Sequence, residues 1–203
     1  MKIRKEISLL LILLSLILAL LPLSANRSFS EEPAGLLAVV LGDDVSLTAD
    51  EVAEFIVRED PSFSLIDLRP EAEYRKKAIP GAISVPWSIF IKSDPDKWLG
   101  NREVRNVFYS TGNTEPDYAL VFARGMGYDN CFIMDGGITE WERTILDTEF
   151  TGERITAREN SLYETRRRAE EMYREFSTLP DSLKSRFLES KKFSAKKLDG
   201  GCE

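Results

Sequence analysis

The chain has 203 residues, 27 Lys+Arg against 34 Asp+Glu, a net charge of -7 and 43% hydrophobic residues, room for one globular domain and its accessories. The acidic balance excludes attraction to nucleic acid phosphates as its main business, and the absence of histidine excludes His-based triads, HExxH zinc sites and imidazole ligation of haem. With two cysteines, Cys131 and Cys202, one chain can build neither a four-thiolate zinc site nor a disulfide framework, and only one bridge is open to it.

Lys2, Arg4 and Lys5 precede an uncharged, leucine-rich run from Ile7 to Leu23. A basic start before such a run is an export or anchoring signal. Its length lies between a long signal-peptide core and a short membrane helix, so residues 1–25 are expected to be either a cleaved signal peptide or a membrane anchor through residues 7–23. Either outcome puts the remainder in the periplasm or cell envelope. Residues 26–43 open with a polar, turn-rich stretch and read as a linker. Residues 34–150 hold 11 Lys+Arg against 21 Asp+Glu, a net -10, whereas residues 151–203 hold 12 against 10. That shift sets a boundary near residue 150.

Thr48 with Glu51 forms a capping box, and Val52, Phe55 and Ile56 share a face, which predicts a helix over 49–58. Phe63 to Ile66 predicts a short strand ending at Asp67, Leu68 and Arg69; Pro70 then opens a short helix over Glu71 to Lys77. Ile79 to Ala82 is a turn into the strand Ile83 to Val85. Val107 to Tyr109 predicts a third strand, followed by a loop and a helix with Tyr118, Val121 and Phe122 as its buried stripe. Gly127 ends that helix, Cys131 to Met134 form a fourth strand, and Gly136 and Gly137 lead into a helix bearing Ile138 and Trp141. Alternating strands and helices predict a parallel sheet covered on both faces.

Over residues 44–147 these motifs resemble the rhodanese-like domain. Asp67 and Arg69 match its DxR, Glu73 and Tyr74 its acidic-aromatic pair, Ile79 to Ala82 its IPGA turn, Gly127, Tyr128 and Asn130 its GYxN, and Gly136, Gly137 and Trp141 its GGxxxW. Lys77 and Ala78 replace the Gly-His that often precedes the turn. The resemblance implies an α/β fold with a five-stranded, mostly parallel sheet and an active loop at a strand's carboxyl end. It also implies a cysteine at the loop's first position, and Ser110 stands there. The degenerate loop is Ser110, Thr111, Gly112, Asn113, Thr114 and Glu115, with Glu115 where the family's loop arginine is expected and Gly112 one residue early.

Sulfur transfer needs an ionisable, polarisable sulfur, and a hydroxyl supplies neither property. No Lys or Arg occurs between residues 106 and 123, so Glu115 and Asp117 face an incoming dianion such as thiosulfate without counter-charge. Thr114 and Asp117 are expected to cap the helix that starts at this loop. Asp67 and Arg69 are candidate ligand-binding residues, although fixing loop amides and tying the strand to its neighbour is the commoner account of such a pair.

Cys131 falls in an apolar strand and is expected to be buried and inert. Cys202 lies in a Lys-rich terminus ending LDGGCE, where a thiol can be reactive or idle. Leu162, Ala169, Tyr173 and Phe176 mark an amphipathic helix in the extension 148–203, expected either to pack on its own domain or to enter a partner protein's groove; Arg166 to Arg168 read as a solvated face. No motif calls for a cofactor, a metal or nucleic acid. The sequence therefore predicts an exported or membrane-anchored rhodanese-like protein without thiosulfate sulfurtransferase activity, acting as a binding or scaffold module. The alternative is a sulfurtransferase or sulfane-sulfur carrier using Cys202 as acceptor.

Overall fold

The structure is a computed structural model that describes residues 45–99, 103–148 and 156–180, with a few helical positions at 7, 11–13, 15, 182–184 and 186. Cys202 and most of the expected leader lie outside the described residues. Among the described residues, no helix is long and apolar enough to cross a membrane. Met1–Ser30 and Glu31–Glu203 are separate compact units, and the second contains the sheet and all the helices that cover it.

Five strands, β1 (Ser46–Leu47), β2 (Phe63–Asp67), β3 (Ile83–Ser84), β4 (Arg105–Tyr109) and β5 (Cys131–Met134), form one sheet in the order β1-β5-β4-β2-β3. Every pairing is parallel, with Leu65 opposite Val107 and Phe108 opposite Ile133. β2 and β4 are near-continuous apolar runs because helices cover both faces. Leu65, Val107, Tyr109 and Met134 point to one face, into a core with Val52, Ala53, Ile56 and Trp141. Ile66, Phe108, Cys131 and Ile133 point to the other, against Phe90, Leu120 and Ala123.

The helices form close to where their sequence signals place them. The buried stripe expected of Tyr118, Val121 and Phe122 is corrected: Ala119, Leu120 and Ala123 are the buried residues there, and Tyr118 is exposed because it faces away from the sheet. In α1 (Ala49–Val57) the capping box is complete: Thr48 N donates to Glu51 Oε2 at 2.8 Å, and Glu51 N donates to Thr48 Oγ1 at 3.3 Å. Such a cap is worth about 1 kcal/mol. α2 (Glu71–Lys76) starts one residue after Pro70, which occupies the cap position. Two short helices that the sequence pattern did not announce, α3 (Trp87–Phe90) and α4 (Asp96–Leu99), fill the long crossover from β3 to β4. α5 (Thr114–Gly125) follows β4; Gly127, at φ 85°, ends it in the left-handed region that glycine enters freely. α6 (Gly137–Trp141) runs straight into a π-helical turn, Glu142–Leu146.

The C-terminal helix α7 (Ala157–Thr178) lies on α1 and the π-turn and buries Ala169, Tyr173 and Phe176. The solvated-face reading of the arginine run is corrected at Arg166. Its Nε and Nη2 donate to the two carboxylate oxygens of Asp50 at 2.6 Å each, a bidentate pair joining α7 to α1. Of the apolar face read from the sequence, Ala169, Tyr173 and Phe176 are buried on the helix's own domain, while Leu162 stays exposed.

Candidate functional site

β4 is flanked by β5 and β2 in the sheet, and the loop Ser110–Glu115 leaves its carboxyl end between Tyr109 and α5. Crevices at this end of an open parallel sheet are where such folds place ligands. Ser110 is buried. Its carbonyl oxygen accepts from Ile138 N at 2.8 Å, and the Thr111 carbonyl accepts from Thr139 Oγ1 at 3.0 Å. Asn113 completes the stitching: Gly136 N donates to its Oδ1 at 2.8 Å, and its Nδ2 donates to Asp135 Oδ1 at 2.7 Å. The β5–α6 turn therefore holds the loop through both backbone and side chains. A Cβ on Gly137 would sit 2.2 Å from the Ser110 carbonyl oxygen, so glycine is required there by contact as well as by φ 56°.

One expectation is corrected here. The helix cap is Asn113, not Thr114; Thr114 is the first helical residue, and Asp117 N donates to the Asn113 carbonyl at 2.9 Å. Asn113 makes no side-chain cap bond, because its amide is committed to the β5 turn. Gly112 is not a conformational necessity, since nothing lies within 4 Å of a Cβ built on it.

Glu115 and Asp117 occupy the first turn of α5, where the helix dipole favours negative charge. Burial and the neighbouring Asp135 raise the Asp117 pKa above the usual value, the sign of a mouth rich in carboxylates. No thiol is at hand among the described residues. Cys131 is buried and registers with Asn106, at the amino end of β4. Four residues at ~3.3 Å each put Ser110 about 13 Å farther along the strand. Burial pushes the Cys131 thiol up to about 12, so it stays protonated and unreactive at neutral pH.

Asp67 and Arg69 lie beneath this edge and are bound to each other. Arg69 Nη2 donates to Asp67 Oδ2 at 2.6 Å and to the Lys77 carbonyl at 2.7 Å, and Arg69 N donates to Asp67 Oδ1 at 2.9 Å. The guanidinium stands over the Tyr109 ring, 5.6 Å from its centroid. Burial by itself lowers the Arg69 pKa, but the Asp67 hydrogen bond and charge outweigh it and hold the group charged. Tyr109, fully buried beside Asp67, is pushed well above its ordinary value. These contacts carry the β2–α2 connection and the entry to the Ile79–Ala82 turn. Tyr109 is the member of this constellation that motif spacing did not single out, and Asn113, named there only as part of the loop, takes its stitching role only when the sheet is assembled.

The model of the family described as Rhodanese-like domain matches residues 48–144, the span that contains every element of this sheet except β1. The chain carries a rhodanese-like domain. Among curated proteins, its sequence is 33% identical over 101 residues to the tRNA uridine(34) hydroxylase of Hamiltonella defensa, covering 48% of this chain. It is 32% identical over 100 residues to the protein of the same name from Yersinia enterocolitica. The aligned part spans only 28% of the length of either relative. Among solved structures, the rhodanese-like domain of an Anabaena protein aligns with a TM-score of 0.44 at 17% identity, over 56% of this chain and 85% of that one. A single-domain sulfurtransferase of Saccharomyces cerevisiae aligns with a TM-score of 0.42 at 21% identity, over 48% and 88%. In this rhodanese-like domain the loop's first position holds a hydroxyl, and three carboxylates, Glu115, Asp117 and Asp135, stand around the loop and its supporting turn.

Proposed function

We propose that this chain is an exported or membrane-anchored binding module built on a rhodanese-like domain that does not transfer sulfur. The observation that carries the proposal is Ser110, buried at the head of a loop that is tied to the β5–α6 turn. The loop's shape is kept while its reactive atom is oxygen. A serine hydroxyl becomes a nucleophile beside a base, and the chain has no histidine to be one. The acidic mouth supports the same reading, because it repels dianionic sulfur donors. The leader with its basic start supports export.

The tRNA-directed chemistry named for the relatives fits this chain poorly. Its net -10 over residues 34–150 opposes a polyanion, and the match covers little of those proteins. The carrier alternative depends on Cys202. Two assays on the full chain in detergent separate the readings. We expect no thiocyanate above the blank from thiosulfate and cyanide, and no mass gain of one sulfur on Cys202 after exposure to a persulfide donor. Thiocyanate release contradicts the proposal; a sulfur-bearing Cys202 replaces it with the carrier.

A further inference from the structure

Among the described residues of 45–148, the large apolar side chains left in water are Ile89, Ile91 and Tyr118, exposed by 50%, 40% and 60%. They are not scattered. Ile89 and Ile91 belong to α3 and the residue after it, Tyr118 belongs to α5, and these two helices pack together. The half-buried Trp87 joins them, with its ring 6.3 Å from that of Tyr118 in a stacked arrangement and 6.1 Å from Phe90. Phe90 is buried and meets Phe108 and Phe122 edge-on at 5.3 and 5.8 Å. The exposed aromatic pair is thereby rooted in the core and rigid.

The patch borders the loop. Trp87 N donates to the Leu68 carbonyl at 2.8 Å, which fixes it at the carboxyl end of β2. Tyr118 lies one helical turn after Thr114, with Glu115 and Asp117 on the intervening turn. Lys92 directly follows Ile91, but residues 106 to 123 contain no cation. Contiguous apolar surface rimmed by charge marks an interaction site. Aromatic faces beside uncompensated carboxylates select positive charge, by cation–π attraction and ion pairing together. A second copy of this chain would bring a like-charged rim against the first, and an anionic lipid surface would meet the same repulsion.

Resting on the reading of the loop as a binding site, we infer that Trp87 and Tyr118 with Glu115 and Asp117 form a docking surface for a Lys/Arg-rich segment of a partner protein that carries an aromatic or aliphatic residue beside its cations.

The test is fluorescence anisotropy of the full chain in detergent with two labelled peptides, one alternating lysine with phenylalanine and leucine, the other carrying glutamate at every lysine position. We expect binding of the lysine peptide alone, weakening as salt rises. Tyr118→Ala should weaken it about fivefold, the size of a ~1 kcal/mol cation–π and stacking contact. Glu115→Gln with Asp117→Asn should weaken it at least as much and flatten the salt dependence. All three side chains are partly or largely exposed, so circular dichroism should show folded variants. Equal binding of both peptides, or indifference to these variants, overturns the inference. If the lysine peptide binds only after Lys191, Lys192, Lys196 and Lys197 are all changed to alanine, the chain's own terminus is the occupant and the partner assignment is overturned. Thiocyanate release measured on the same preparations keeps the outcomes distinct: a silent enzyme without peptide binding sinks this inference alone, and an active enzyme that binds the peptide sinks only the absence of sulfur transfer.

Discussion

Gly137 lies directly under the carbonyl of Ser110, so close that a single added methyl would stand 2.2 Å from that oxygen. The glycine on one loop and the serine on another thus fix the separation of β4 and the β5–α6 turn, and with it the position of the residue-110 side chain. Gly137→Ala must strain a left-handed backbone at φ 56° and also displace a carbonyl that accepts from Ile138 N. We expect a loss of roughly 2–4 kcal/mol in urea unfolding; a loss below about 1 kcal/mol would show the contact to be soft.

Asp67 and Arg69 behave as one unit, because each satisfies the other out of water. Removing one partner leaves a buried charge alone. Asp67→Ala or Arg69→Ala should each cost about 3–5 kcal/mol, while Asp67→Leu combined with Arg69→Met should cost much less than the sum of the single changes. Denaturant midpoints of the three variants measure the coupling. Additive losses would assign the residues to separate roles, such as binding a ligand.

Restoring the sulfur alone should not restore transfer. Ser110→Cys puts a thiol at the family's position, but Glu115 still stands where the family has a cation. Cyanide-dependent thiocyanate release is expected to stay near background in Ser110→Cys and to rise at least tenfold when Glu115→Arg is added, as a dianion gains a partner worth about 1.4 kcal/mol or more. Full activity in Ser110→Cys alone would show that the acidic mouth is no barrier.

The bidentate pair of Arg166 with Asp50 is partly shielded from water and connects residues 116 positions apart. Arg166→Ala should cost about 1 kcal/mol, and Phe176→Ala about 3 kcal/mol, since Phe176 is buried. Limited proteolysis between residues 148 and 156 should quicken in the same order. Unchanged cleavage in both variants would mean that α7 is held by other contacts.

The Cys131 thiol gives the alkaline limb of stability a specific shape. Its folded pKa is raised from 9.0 to about 12, so the folded state keeps a proton that the unfolded chain releases. The contribution is complete below pH 9 and is lost as pH rises toward 12, by about 1.4 kcal/mol at pH 10. Tyr109 and Tyr74, also raised by burial, act with the same sign above pH 10. Cys131→Ala should therefore flatten unfolding free energy between pH 9 and 10 and leave the steeper fall above it. An identical slope in both proteins would remove Cys131 from the account.

Much of the fold was legible because its signals are local. The Thr48–Glu51 box, the apolar runs of β2, β4 and β5, and the glycine that ends α5 each depend on residues within a turn or a strand of one another. β3 was legible through the turn that precedes it, whereas β1 is a two-residue strand with no periodicity to read, and α3 and α4 are single turns set by the crossover they fill. The cap at Asn113 was hidden for a related reason: its amide answers to Asp135 and Gly136, more than twenty residues away.

The amino-acid order alone settled which chemistry is available to this protein: no imidazole, no thiol and no cation within the loop, and a strand-helix alternation that requires a parallel sheet. Those are matters of composition and short-range pattern, which survive without coordinates. Packing in three dimensions was needed to show that Asp67 and Arg69 neutralise each other, that Arg166 locks the last helix to the first, and that Trp87 and Tyr118 come together beside the carboxylates. Burial, pairing and exposure are properties of neighbours, and neighbours far apart in the chain are assigned by packing.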